Sequence, residues 1–144
     1  MKLNSAFTLI ELMITLLLVV ILAGISYPTF IDSLYKSRRM EAKVTLMAFS
    51  NAMERFSTQN ATYLGAGLSG DTGVASIFSA TSPLGGGIAY YNLTISAATV
   101  NSYTLTASPI GLQENDKCGD LSLTDLGVKG ISNSANGVVL NDCW

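Results

Sequence analysis

A carboxylate set in hydrocarbon is the first group whose chemistry needs explaining. Glu11 is the single charge between Phe7 and Ile31, within "AFTLIELMITLLLVVILAGISYPTF". An ionisable residue inside a membrane-length apolar run is costly and is by default functional, with a cationic partner to be found. The other reactive pair is Cys118 and Cys143. A metal site wants four ligands, and a chain without histidine would have to collect them from scattered carboxylates. A disulfide fits the two cysteines better and implies an oxidising compartment outside the cytoplasm. A bridge closing a loop of this length corresponds to about 3–4 kcal/mol of chain entropy. Two free thiols in a cytosolic chain are the alternative, and the apolar run argues against it. No Ser/Lys couple or carboxylate dyad stands out, so no enzyme, no cofactor and no metal are expected. Glu114, Asp116 and Asp120 gather near Cys118. They lack EF-hand spacing and are expected to form a solvated loop rather than a calcium site. Asn60-Ala61-Thr62 and Asn92-Leu93-Thr94 match the glycosylation pattern and are taken as chance.

Three segments must position these groups. Residues 1–6, "MKLNSA", read as a short basic leader. Residues 7–31 read as the transmembrane or filament-core half of a helix. At about 1.5 Å per residue, that half exceeds the roughly 30 Å hydrocarbon core of a bilayer. Residues 32–144 read as an α+β head outside the cytoplasm. The helix is expected to run from residue 7 to about 58. Pro28 removes a backbone hydrogen bond and crowds the turn before it, which predicts a kink, and Gly24 loosens the same turn. Beyond the apolar run, Ala42, Leu46, Phe49, Met53 and Phe56 recur at helical spacing, with Tyr35 one heptad earlier. Such a stripe is core. Lys36, Arg39, Lys43, Glu54 and Arg55 are expected largely off it.

Residues 60–87 are rich in Gly, Ser and Thr and read as a long connection, with a short helical turn around Val74 to Phe78. "IAYYNLTIS" (88–96) and "SYTLTAS" (102–108) read as strands, as do "DLSLT" (120–124) and the short return "VKGI". Antiparallel strands after one long helix give an α+β layout, with the sheet lying on the stripe. The net charge is −2. Beyond Gln59 the acids Asp71, Glu114, Asp116, Asp120, Asp125 and Asp142 outnumber Lys117 and Lys129. That half makes no general electrostatic case for nucleic acid, though a local basic stripe stays open.

The front end is too long and too acidic for an ordinary secretory signal, and only the poor "GIS" at residues 24–26 offers a cleavage site. As a plain anchor it meets a conflict. Lys36, Arg38, Arg39 and Lys43 outweigh Lys2 at the other end, so the positive-inside rule would put the head in the cytoplasm. The disulfide places it outside. A reducing cytoplasm is a chemical obstacle and the rule is statistical, so the disulfide decides.

"SAFTLIELMI" resembles the type III signal of type IV prepilins. In that family a short basic leader is cut just before a Phe, a Glu follows one turn into the mature helix, and a proline often stands further along. Here those positions are Ala6–Phe7 for the cut, Glu11 and Pro28. Ala6 departs from the Gly that the family nearly always has, and both are small. "SRRMEAKVTLMAFSNAMERFSTQNATY" (37–63) is similar to the second half of the type IVa pilin helix, and "CGDLSLTDLGVKG…CW" to the family's C-terminal disulfide-bounded region. The Gly-rich stretch 64–87 falls outside the likeness, and the short head leans towards minor pilins.

The resemblance implies a structural subunit of a type IV pilus, cleaved by a prepilin peptidase and N-methylated on Phe7. It implies that Glu11 of one subunit neutralises the Phe7 amine of the next. The subunit would wait in the inner membrane with its head in the periplasm and then enter an extracellular filament serving twitching motility, adhesion or DNA uptake. Its partners would be other pilin subunits, and a surface or DNA ligand at the head loops. The alternatives are a type II secretion pseudopilin, which the C-terminal disulfide disfavours, and a pilus-tip adhesin or DNA receptor.

Overall fold

Leu, Ile, Met and Val fill the front of the chain, and a helix meets all their backbone hydrogen bonds internally, as a segment facing lipid must. In the computed structural model, which describes residues 7–144, that segment opens α1 (Leu9–Asn60), one helix of 52 residues. Thr8 starts it, its Oγ1 accepting the Glu11 backbone N–H at 3.3 Å. Ala61 stops it at a positive φ of 56°, with its N–H on Ser57 O at 2.8 Å, the left-handed residue that commonly closes a helix. The leader expected at 1–6 lies outside the described residues.

The chain divides into two compact units, Met1–Lys36 and Ser37–Trp144. In the first, the described side chains from Phe7 to Gly24 are all exposed. Leu9–Asn60 is the one candidate membrane span among the described residues.

In the second unit the predicted stripe is the core. Ala42, Leu46, Phe49 and Met53 are fully buried, with Phe56 packed against them. They meet a five-stranded antiparallel meander of β1 (Thr81–Ser82), β2 (Tyr91–Ala98), β3 (Tyr103–Pro109), β4 (Asp120–Thr124) and β5 (Lys129–Ser132), each hydrogen-bonded to the next. Alternation selects the inner face: Tyr91, Leu93 and Ile95 from β2, Tyr103, Leu105 and Ala107 from β3, Leu121 and Leu123 from β4. The register shifts between Ile95 and Ala97. Ser96 sits at that irregularity, its hydroxyl donating to Thr104 O at 3.0 Å and accepting from Thr106 Oγ1 at 2.9 Å.

The α+β layout and the expected strands are present, β4 with the expected bounds and the others moved by one to three residues. The helical turn expected at Val74–Phe78 is absent. Glycines at positive φ, Gly65, Gly70 and Gly73, bend that stretch instead, and Gly73 exchanges two backbone hydrogen bonds with Ile95, each 2.8 Å. Phe78 is thereby delivered onto Phe49, the rings stacked 4.8 Å apart. A short helix, α2 (Leu140–Cys143), and the edge strand β1 were not foreseen.

Candidate functional site

Glu11 lies in the first turn of α1 and is exposed, as are its apolar neighbours. It has no ion-pair partner among the described residues. Phe7 is exposed just ahead of the helix, and Ala6, the other side of the expected cut, lies outside the described residues. Gly24 is exposed with nothing near its Cα face, and the helix continues through Pro28. The carbonyl that Pro28 leaves without a helical donor is that of Gly24, four residues before it.

The head brings together residues the sequence left apart. Cys118 and Cys143 are bonded, their Cα atoms 5.7 Å apart, and both are buried. Beneath the bridge lies Arg39, 3% exposed. Its Nη1 contacts Cys118 Sγ and lies 3.8 Å from Cys143 Sγ. The same nitrogen is 3.3 Å from Asp116 Oδ1. Asp116 Oδ2 in turn accepts from Gln113 Nε2 at 3.1 Å and from the Tyr91 hydroxyl at 3.4 Å. Burial pushes the Tyr91 phenol up to about 12; the Gln113 hydrogen bond opposes this and the Asp116 charge reinforces it.

Two expectations are corrected by this cluster. Arg39 is not off the apolar stripe; it lies three residues before Ala42 and seven before Leu46, on the same face, and is buried because Asp116 neutralises it there. Asp116 belongs to no solvated loop. The signal was a charge in phase with a core stripe and an acid two residues from a cysteine. Neither alone identifies its partner across the intervening sequence. Glu114 and Asp120 are outward: Glu114 Oε1 accepts the Gly111 N–H, and Asp120 Oδ2 accepts from Asn133 at 2.6 Å. Among the described residues no group of acids or cysteines is placed to hold a metal ion.

A cationic cluster was also missed. Lys43 Nζ lies 5.9 Å and Lys129 Nζ 5.3 Å from the centre of the Trp144 ring. The indole is held by its Nε1–H on Gly130 O at 2.9 Å. Partial burial, then the charges of Arg39 and Lys129, lower the Lys43 pKa from its ordinary value. Two ammoniums beside one indole ring can engage an anionic ligand. Near the C-terminal end of α1, Glu54 accepts from Tyr103 at 3.0 Å and from Tyr63 at 2.9 Å. That network holds the helix exit against β3 and carries no reactive group.

Comparison with known proteins places these features among filament subunits. Residues 28–122 match the family model described as type IV minor pilin ComP, DNA uptake sequence receptor. Residues 1–27 match the prokaryotic N-terminal methylation motif. The type IV major pilin protein PilA of Myxococcus xanthus (strain DK1622) is 42% identical over 60 residues, which is 42% of this chain and 27% of that relative. Among solved structures, the non-core minor pilin PilV of Neisseria meningitidis superposes with a TM-score of 0.57 at 20% identity, over 74% of this chain and 94% of that one. That likeness is one of fold.

Proposed function

The chain belongs to the type IV minor pilin family of ComP, and from that premise we propose that it is a pilus subunit joined to its filament through the apolar half of α1. The observation that carries this is the uncovered front of the helix: from Phe7 to Gly24 every described side chain is exposed. So long an apolar surface requires either lipid or neighbouring helices. A subunit that waits in the inner membrane, head outward, and then passes into a bundle of like helices uses both in turn. The methylation motif supports cutting between Ala6 and Phe7 with methylation of the new Phe7 amine. Glu11, one turn away, is suited to neutralise that amine on a neighbouring subunit. Deleting the gene and restoring it with an epitope in the 64–87 stretch tests the assignment. The tagged chain is expected, shortened by its leader, in the membrane fraction and in sheared pili. Absence from pili in a strain that still makes them overturns it.

A second role is favoured by one observation. The Lys43–Trp144–Lys129 cluster concentrates positive charge around an aromatic face on a chain of net charge −2. It suits contact with nucleic-acid phosphate, in keeping with the receptor description of the family model. Gel-shift titration of the head with duplex DNA tests this. Lys43→Gln and Lys129→Gln are each expected to weaken binding across sequences and to lower the log-log salt slope by about 1. Unchanged binding and slope in both assign the contact elsewhere.

A further inference from the structure

A small pocket opens where the last turns of α1 meet the stretch that leads from the helix to β1. Ala52, Phe56 and Ile77 form its apolar part and Arg55 and Gln59 its polar part, around a volume of about 200 Å³. Its walls are fastened. The Ser76 N–H and hydroxyl both donate to Ala66 O, at 2.9 and 3.0 Å, and Phe78 stacks on Phe49, so Ile77 is held from both sides. Arg55 and Gln59 are exposed at the rim, and Arg55 has no ion-pair partner among the described residues. Pockets that take drug-sized ligands measure about 300–1,000 Å³. This one suits a single side chain, with a cation and a carboxamide waiting beside it. Such a side chain stands elsewhere on the head. Leu126 is 83% exposed, more than any other large apolar residue among those described. The turn that carries it is tied by three hydrogen bonds: Gly127 N–H to Thr124 O at 2.9 Å, Thr124 N–H to Val128 O at 3.0 Å and Val128 N–H to Thr124 Oγ1 at 3.1 Å. Gly127 supplies the positive φ of 73° that the turn needs. Leu126 is thus held outward, next to Asp125, a carboxylate that also has no ion-pair partner among the described residues.

We propose that the Asp125–Leu126 turn of one copy seats in this pocket on a second copy, Leu126 against Ala52, Phe56 and Ile77, and Asp125 against Arg55. The inference rests on the filament-subunit reading above and names a contact between heads within it. The two patches match in size, polarity and sign of charge. Both are fixed before they meet, so little ordering is lost when they dock. They also lie on different sides of the sheet. The stretch bearing Ile77 borders β2, where Gly73 bonds Ile95, whereas the turn joins β4 to β5, beyond β3. A patch that meets a different patch on the next copy leaves the same two patches free at the ends of the series. Such heterologous contacts run on into rings or open helical filaments instead of stopping at a dimer. Opposite charges at the rim of the contact fix its register and exclude wrong pairings.

The test uses the full chain in cells that display pili, treated with a short bismaleimide and read by immunoblot of sheared pili. Gln59→Cys places a thiol at the rim of the pocket and Val128→Cys places one beside the turn, leaving Leu126, Asp125 and Arg55 in place. The native cysteines are buried and bonded to each other, so they take no reagent. The chain carrying both substitutions is expected to give a ladder of dimers, trimers and longer products, and each single variant none. Arg55→Glu in that background sets two carboxylates against each other and is expected to cut the ladder at least about tenfold. Adding Asp125→Lys to Arg55→Glu is expected to restore it. Dimers from Val128→Cys alone show a symmetric contact and overturn the proposal, as does a ladder that Arg55→Glu leaves unchanged. A crosslinked band containing a different protein overturns it and assigns the pocket to that partner. Sheared pili that contain the chain but give no ladder overturn it and leave the subunit assignment standing. Absence of the parent chain from pili that the cells still make removes the assignment and the proposal together.

Discussion

Arg39 shows how one residue can be misread from its type. Its spacing puts it on the buried stripe and its charge argues against burial; the outcome is burial with Asp116 as counter-ion. Such a pair adds little net stability, but removing one partner strands the other charge. Arg39→Ala is therefore expected to destabilise the head by about 3–5 kcal/mol, measured by urea unfolding followed by circular dichroism. Arg39→Met combined with Asp116→Leu is expected to recover most of that loss. The same cluster sets the alkaline limit. Tyr91 is raised above its ordinary value to about 12, and Tyr103 is also raised, chiefly by burial. A phenol whose folded pKa is raised favours the protonated native form. Its contribution is complete below pH 10 and is lost as pH climbs through 12. The expected result is a head whose unfolding midpoint is flat to about pH 10 and falls above it, with phenolate absorbance from these two residues appearing only as the fold gives way. Their ionisation at pH 10 in a folded head, read at 295 nm, contradicts this.

At the scale of elements, the period of the sequence was enough to find α1, its buried face and four of the five strands. Leu46, Phe49 and Met53 were readable because a helix repeats every 3.6 residues and the sheet needs one continuous apolar surface. Leu46→Ala, at a fully buried site, is expected to cost about 2–5 kcal/mol, whereas Met47→Ala, one position on and facing solvent, is expected to stay within about 0.5 kcal/mol; thermal unfolding of both variants distinguishes them. What periodicity could not supply was the path from residue 61 to 90. There the backbone follows glycine dihedrals and isolated bridges, from Gly67 to Gly70 and Ala75 and from Gly73 to Ile95, and neither leaves a repeating side-chain pattern. The stripe likewise gave no warning of Trp144, which reaches Gly130 only because Cys143 is tied to Cys118. Gly119 is the tightest point of that fastening. Its φ is 59°, and a Cβ there would meet the Ser132 and Asn133 backbone. Gly119→Ala is expected to unfold the cysteine-bounded region, seen as disulfide reduction by mild dithiothreitol that leaves the native bridge intact.

At the scale of the whole molecule, two kinds of burial operate. The head completes its core within its own chain, while the front of α1 leaves its apolar surface exposed in the single chain, the surface that the proposed function assigns to lipid and then to other subunits. Glu11 lies on that exposed surface, and the role proposed for it acts across copies. A helix of Leu, Ile and Val slides along its neighbours at little cost, since each axial offset buries much the same area. Under the proposed pairing, a carboxylate that meets a neighbour's Phe7 amine would remove that degeneracy, because every wrong offset would strand two charges in a dry interface at several kcal/mol each. The pair is thus expected to set register more than strength. Glu11→Gln keeps size and polarity and removes the charge. Leader removal is expected to proceed as before, and the subunit's share in sheared pili, read by immunoblot against the membrane pool, to fall at least about tenfold, which corresponds to about 1.4 kcal/mol. Glu11→Asp, which shortens the reach and keeps the charge, is expected to fall less. Equal incorporation of Glu11→Gln and the parent chain rules out pairing as the source of register, and impaired leader removal in Glu11→Gln moves the role of Glu11 from assembly to processing.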